Sequence, residues 1–289
     1  MRWQKFIIII IFLVGINILA WLVVFDLAEY KYLEVTFFDV GQGDAIFIET
    51  PQRHQILIDG GPDTKILEKL GKKMPFWDRT IDLIVLTHPE YDHMVGLLEV
   101  LKRYKVENVL WTGVVRETSE YEEWMKLLEK EKARIIFAQA GQKVTCTLCY
   151  HGKWEFLVLF PQESIVGKIQ KRSSNNTSVV SKLVMAKTRV LFNGDIEKEV
   201  ESKLITNQID LKAEVLKIAH HGSKTSTSED FINAVSPQIA VISVGRNNPY
   251  GHPDSEILKT LQNKKIKVLR TDKHGDVSLI SNGIFWKLK

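Results

Sequence analysis

The amino-acid sequence predicts an α/β (α+β) domain, two sheets packed face to face with helices outside, preceded by one apolar N-terminal helix. Three features point there. Short β-rich runs alternate with helical patterns from residue 33 onward, and the strands fall in two blocks, each followed by helices. A stretch without a single charge stands at the N-terminus. At 45% hydrophobic and 26% charged residues, the composition excludes disorder, collagen and coiled coil. Two cysteines exclude a disulfide scaffold, and CTLC (146–149) reads as ordinary hairpin cysteines, the alternative being that the two oxidise together if the domain lies outside. The net charge of +4 neither demands a nucleic-acid partner nor excludes one.

Residues 6–25 read FIIIIIFLVGINILAWLVVF, with Asn17 the one clearly polar side chain. At about 1.5 Å per residue, such a run matches the roughly 30 Å hydrocarbon core of a bilayer. No A-x-A cleavage pattern follows, so the run reads as an uncleaved anchor and not a signal peptide. Arg2 and Lys5 precede it, while Asp26 and Glu29 follow it. The positive-inside rule therefore makes residues 1–5 a short cytoplasmic tail and places the domain beyond the membrane, on a single-pass protein.

Residues 33–289 carry no repeat and no long linker, and read as one domain. LEVTFFD (33–39), AIFIET (45–50) and QILID (55–59) are strands joined by tight turns. LIVLTH (83–88) is apolar enough to be buried on both faces. Helices follow at 95–104 and at 119–131, the second with Ser119 as a cap. Strands at 154–160, 178–186 and 188–195 come next, the last two turning at Lys187–Thr188. A helix at 196–205 leads to a strand at 214–219, a helix at 228–234 and a strand at 239–244. A helix at 255–264, a strand at 267–271 and a hairpin through Asn282–Gly283 close the chain.

Chemistry concentrates where the strands end. THPEYDHMVG places His88, Glu90, Asp92 and His93 within six residues, straight after a buried strand. Imidazole nitrogens and carboxylate oxygens are ligands for zinc, manganese or iron. Asp195 ends FNGD, and His220 and His221 end LKIAHHGS, each again after an apolar strand. SSNNTS offers Asn175 and Asn176 just before another. Asp39, Gln42, Asp44 and Asp59 fit turn-forming and supporting hydrogen-bond roles better than direct metal binding. Lys168, Lys171 and Arg172 lie just before Asn175, either as an exposed loop or as cations for a phosphate backbone.

The order FFDVGQGDAIFI, ILIDGG, THPEYDH, NNTS, NGD, AHHGS and YGHP resembles the metallo-β-lactamase superfamily. More narrowly, it is similar to the hydrolase domain of ComEC-type competence (DNA-uptake) proteins. The resemblance covers residue 34 to about 280 and implies a four-layer αββα sandwich with its site where the loops of both sheets meet. It implies metal ligation by His88, Asp92, His93, Asp195 (the carboxylate between two metals) and His221. His220 would neighbour the site and His252 face the substrate. Glu90 and Asn176 stand where the superfamily has histidines; as oxygen ligands they would make one position harder, favouring manganese or magnesium over zinc.

The implied activity is that of a metal-dependent phosphodiesterase, a nuclease with two divalent ions, Mn²⁺ or Zn²⁺ with Mg²⁺ as the alternative. Asp92 would hold metal or accept a proton, and His220 and His252 would stabilise an oxyanion or protonate a leaving group. Single-stranded DNA is the expected substrate. With one span, the chain would need a separate DNA-uptake channel as partner. Two other classes remain open: a cell-envelope esterase cutting wall-polymer phosphodiesters, and a non-catalytic binding module in which Glu90 and Asn176 have replaced ligands.

Overall fold

Two sheets form the frame of the molecule, which is described by a computed structural model over residues 2–28, 32–146 and 152–289. The chain divides into two compact units, Met1–Lys31 and Tyr32–Lys289. The first is the helix α1 (Arg2–Ala28), whose segment Trp3–Leu22, of mean hydropathy 2.5, is long and apolar enough to cross a membrane.

In the second unit, β1 (Leu33–Phe37), β2 (Ile46–Glu49), β3 (Gln55–Ile58), β4 (Thr80–Leu86), β5 (Lys105–Trp111) and β6 (Arg134–Phe137) lie side by side in that order. The C-terminal hairpin, β14 (Val277–Ser281) and β15 (Trp286–Leu288), completes this sheet beyond β1. The second sheet runs β13 (Lys267–Arg270), β12 (Ile239–Ile242), β11 (Val215–Lys217), β10 (Thr188–Phe192), β9 (Val180–Met185), β8 (Trp154–Phe160) and β7 (Lys143–Thr145). Strands β3–β6 are parallel, as are β10–β13. Helices α2 (Lys65–Lys73), α3 (Tyr91–Leu101) and α4 (Ser119–Glu131) cover the first sheet. Helices α5 (Lys198–Thr206), α6 (Glu229–Val235) and α7 (Ser255–Asn263) cover the second. A short α8 (Thr271–His274) follows β13. This is the four-layer αββα sandwich.

Strand alternation assigns each side chain to a layer. In β2, Ile46 and Ile48 enter the core between the sheets while Phe47 packs under the helices. In β12, Val241 faces the other sheet and Ala240 and Ile242 face the helices. Phe37 and Phe192 meet across the middle with ring centroids 6.3 Å apart. The same alternation puts Val215 between the sheets, Leu216 under the helices, and Lys217 between the sheets again, fully buried.

Several boundaries differ from the sequence reading. Helix α3 starts at Tyr91, four residues earlier than the apolar pattern indicates, so Asp92 and His93 occupy its first turn. The cap of α4 is Thr118, whose hydroxyl accepts from Tyr121 N–H at 3.3 Å; Ser119 is already helical. The β9–β10 turn falls at Ala186–Lys187, because Met185 pairs with Thr188. The sequence pattern does not predict helix α2 or strands β5, β6 and β7: α2 is only 9 residues long, and β5–β7 are interrupted by polar or charged side chains. Cys146 is disulfide-bonded, unlike the ordinary hairpin cysteine expected there; position 149 lies outside the described residues.

Candidate metal centre

The two parallel blocks end at the same edge of the sandwich, and the loops beyond their carboxyl ends carry the polar residues, the usual place for a site in such sheets. Asp59 follows β3, His88 follows β4, Asp195 follows β10 and His220–His221 follow β11. Close backbone contact sets the depth of α3. A Cβ on Gly96 would stand 1.9 Å from the Gly60 carbonyl oxygen, so glycine at both positions lets the first turn of α3 press against the loop after β3.

Hydrogen bonds then fix each imidazole. Asp59 Oδ2 lies 2.8 Å from His93 Nδ1 and accepts its N–H. The Thr87 hydroxyl donates to the same carboxylate at 2.7 Å. With its proton so engaged, Thr87 Oγ1 can only accept from His88 Nδ1, 3.0 Å away. His221 Nδ1 donates to the Ser243 carbonyl at 2.8 Å. All three neutral rings therefore turn a bare Nε2 lone pair toward the centre.

Those lone pairs meet carboxylates. His93 Nε2 lies 3.3 Å from Asp195 Oδ2; His221 Nε2 lies 3.4 Å from that oxygen and 3.2 Å from Asp92 Oδ2. Acceptors facing acceptors at such distances, in a buried site, need a cation between them: a proton or a metal ion. His93 Nε2 and His88 Nε2 are buried without a hydrogen-bond partner. The ligand atoms of Asp92, His93 and His221 lie within 4.8 Å of one another, as do those of His88, His93 and Asp195. Two nitrogens and two carboxylates fit a divalent transition metal.

Electrostatics say the same. Burial pulls the pKa values of His93 and His221 down, but Asp195 and the other carboxylates outweigh it and raise both. Burial pushes Asp92 and Asp195 up, yet the neighbouring imidazoles hold both below the usual carboxylate range. Burial, with His93 beside it, keeps His88 well below an ordinary histidine.

Residues expected from the sequence divide into two groups. His88, Asp92, His93, Asp195 and His221 converge. Glu90 and Asn176 do not join them. Glu90 Oε1 accepts from Ser174 N–H at 2.7 Å and from its hydroxyl at 2.8 Å, and Oε2 from Arg116 at 3.2 Å. Asn176 Oδ1 accepts from Glu197 N–H at 2.9 Å, ahead of α5. All three of these oxygens are engaged in holding loops. It is Asn175 that reaches the site, its Nδ2 3.3 Å from His220 Nε2.

Two further side chains, Asp44 and Lys217, lie at the centre. Asp59 accepts from His93 and Thr87, and Asp44 lies deeper than a turn residue, its ligand atom grouped with those of Asp195 and His221 and, in a second set, with those of Asp59 and His93. Lys217 carries no motif that marks it in the sequence. Its ammonium pairs closely with Asp44 Oδ2, lies 3.4 Å from Asp195 Oδ1, and donates to the Gly194 carbonyl at 3.1 Å. The strand alternation of VLK, which aims Lys217 into the core beneath the histidines, was the available signal.

Above the centre opens a cleft of about 170 Å³, lined by Gln42, Asp92, Arg172, Asn175, His220 and His252 among others. Burial lowers the pKa of His220, and burial together with His220 lowers that of His252. The two rings stand edge to face at 5.8 Å.

Comparison with known proteins agrees with this geometry. Residues 38–246 match the metallo-beta-lactamase superfamily. The chain is 34% identical to ComE operon protein 3 of Bacillus subtilis over 262 residues, 84% of this chain and 32% of that protein. It is 31% identical to competence protein ComA of Neisseria gonorrhoeae, over 83% of this chain and 31% of that protein. The chain thus spans about a third of the length of these relatives. In three dimensions it is similar to Igni18, a metallo hydrolase from Ignicoccus hospitalis, with TM-score 0.54, 17% identity, and coverage of 85% of this chain and 98% of that one. A long-form RNase Z from yeast aligns with TM-score 0.52 and 11% identity, over 86% of this chain and 42% of that one. Fold, motif order and the converging histidines and aspartates together establish that the chain belongs to the metallo-β-lactamase superfamily.

Proposed function

We propose that the chain is a membrane-anchored, metal-dependent phosphodiesterase that cleaves single-stranded DNA on the outer side of the membrane. The observation that carries the reading is the convergence of the bare His93 and His221 Nε2 atoms on the Asp92 and Asp195 carboxylates. The similarity to proteins named for competence supports DNA as the substrate. The apolar α1, with Arg2 and Lys5 before its core and Asp26 after it, supports an anchor that leaves the domain outside. A separate membrane channel would then carry the DNA onward.

The donors for a tightly held ion are His93, His221, Asp92 and Asp195, with His88 and Asp195 available to a second. Mn²⁺ or Zn²⁺ suits these mixed donors, and Mg²⁺ is the harder alternative. A cation bound here supplies Lewis acidity toward a phosphoryl oxygen and acidifies a water. The protein does the rest. Asp92, with its side chain 32% exposed, is the donor carboxylate open to the cleft and the one placed to take a proton. His220 and His252, held neutral near pH 7 by burial, offer N–H groups to a developing oxyanion. Lys217 offsets the charge of Asp44 and Asp195 from below, and Asp59 keeps His93 in one tautomer.

The test is cleavage of labelled single-stranded DNA by the full chain in detergent, with Mn²⁺, Zn²⁺ or Mg²⁺ added separately. Metal-dependent cleavage that disappears in the Asp92→Ala/His93→Ala variant is the expected result. Cleavage that survives in the variant, or no cleavage with any of the ions, overturns the proposal.

A further inference from the structure

We infer that Tyr250 is a base-stacking platform at the mouth of the cleft, which holds the unpaired base beside the scissile phosphodiester while Arg172, which lines the same cleft, holds a phosphate. This deepens the proposed function and rests on it.

Tyr250 is 69% exposed and is the one tyrosine or other large aromatic among the residues lining the cleft. Its ring lies nearly parallel to the His252 ring, the planes 18° apart and the centroids 5.8 Å apart. His252 in turn abuts His220. A row of rings thus leads from the metal centre to solvent, and Tyr250 is its outer end. Among the described residues no other ring stacks on it, so one face is available.

The loop that presents Tyr250 is held in place. Asn248 Nδ2 donates to the carbonyls of Gly245 at 3.1 Å and His252 at 2.8 Å, and Asn248 Oδ1 accepts from His252 N–H at 3.0 Å. Pro249 fixes φ immediately before the tyrosine. A platform held this way loses little freedom when a ligand stacks on it.

Charge around the mouth suits a polyanion. Among the described residues, Arg172 in the cleft lining makes no ion pair, whereas Glu90, also in the lining, is tied to Arg116 and Ser174. Cations alternating with an exposed aromatic face are the elements from which single-strand grooves are built. A duplex hides the faces of its bases in the stack, so a platform of this kind selects an unpaired strand.

The experiment uses the full chain in detergent with fluorescein-labelled dT12, and with the same strand carrying one abasic nucleotide walked along it. KM and kcat for cleavage are measured for the wild type, Tyr250→Ala and Tyr250→Phe. The wild type is expected to lose affinity at one abasic position, on the order of 5- to 150-fold in KM. Tyr250→Ala should show the same loss on intact dT12 and be indifferent to the abasic position, and Tyr250→Phe should restore the affinity because the ring and not the hydroxyl stacks. Tyr250→Ala that handles dT12 as the wild type does, or that still senses the abasic position, overturns the inference. Failure of the wild type to cleave dT12 with any divalent ion instead overturns the nuclease reading, and the platform with it.

Discussion

The carboxylate of Asp59 lies 2.8 Å from His93 Nδ1 and thereby turns His93 Nε2 toward Asp195, 3.3 Å away. One carboxylate thus sets the tautomer of its neighbour at the centre. Asp59→Asn removes the acceptor for that N–H and frees the tautomer. The expected outcome is a metal affinity lower by about 10- to 100-fold, read by competition with a chelating dye, while the circular dichroism spectrum is unchanged.

Without a metal ion, protons on His93 and His221 are the cations that can offset the carboxylates around the centre. His93 and His221 have folded pKa values raised above the usual 6.5 by Asp195 and its neighbours, against the pull of burial. Their protonation therefore contributes stability that is fully present below pH 6.5 and is lost as pH rises through the folded values. A metal ion replaces those protons. The increase in Tm caused by Mn²⁺ should grow as pH rises above 6.5; an increase that is largest at acid pH contradicts this arrangement.

Lys217 is a fully buried cation whose partners are Asp44 and Asp195. Lys217→Met keeps much of the volume and leaves two buried carboxylates uncompensated. The metal-free protein should lose about 3–5 kcal/mol of stability in urea unfolding. Added divalent ion should recover part of the loss, because it supplies positive charge to the same carboxylate, Asp195.

Glu90 separates a loop-holding role from a ligand role. Its oxygens accept from Ser174 and Arg116, so Glu90→Gln should leave bound metal per chain unchanged while loosening the lip that carries Arg172 and raising KM for DNA. Loss of bound metal in this variant would return Glu90 to the ligand set.

Packing sets the entry of α3. Gly96→Ala would force a Cβ against the Gly60 carbonyl oxygen and displace the turn that carries Asp92 and His93. A loss of about 1–3 kcal/mol is expected, with weaker metal binding, both read from thermal unfolding with and without Mn²⁺.

Much of this was legible in the sequence. Apolar strands that end in His88, Asp195 and His221 announce candidate ligands, because the side chain after a buried strand emerges at the edge of the sheet. What escaped notice depends on contacts between distant segments. Glu90 reads as a ligand by spacing, but only the fold brings Ser174 and Arg116 to its oxygens. Asn175 and Asn176 are indistinguishable in sequence, and a single turn of 3-10 helix sends one to the cleft and the other to the start of α5. Lys217 looks like an ordinary surface lysine until alternation along β11 is followed into the core. Helix α2, at 9 residues, is too short for its periodicity to stand out.

The most direct test of the account follows bound Mn²⁺ and cleavage of single-stranded DNA in the same titration, with the full chain and its His221→Ala variant. Cleavage should rise in step with occupancy in the wild type, and the variant should lose both tight binding and cleavage. Cleavage that precedes metal binding, or that persists in His221→Ala, would contradict the claim that His93, His221, Asp92 and Asp195 form the working centre.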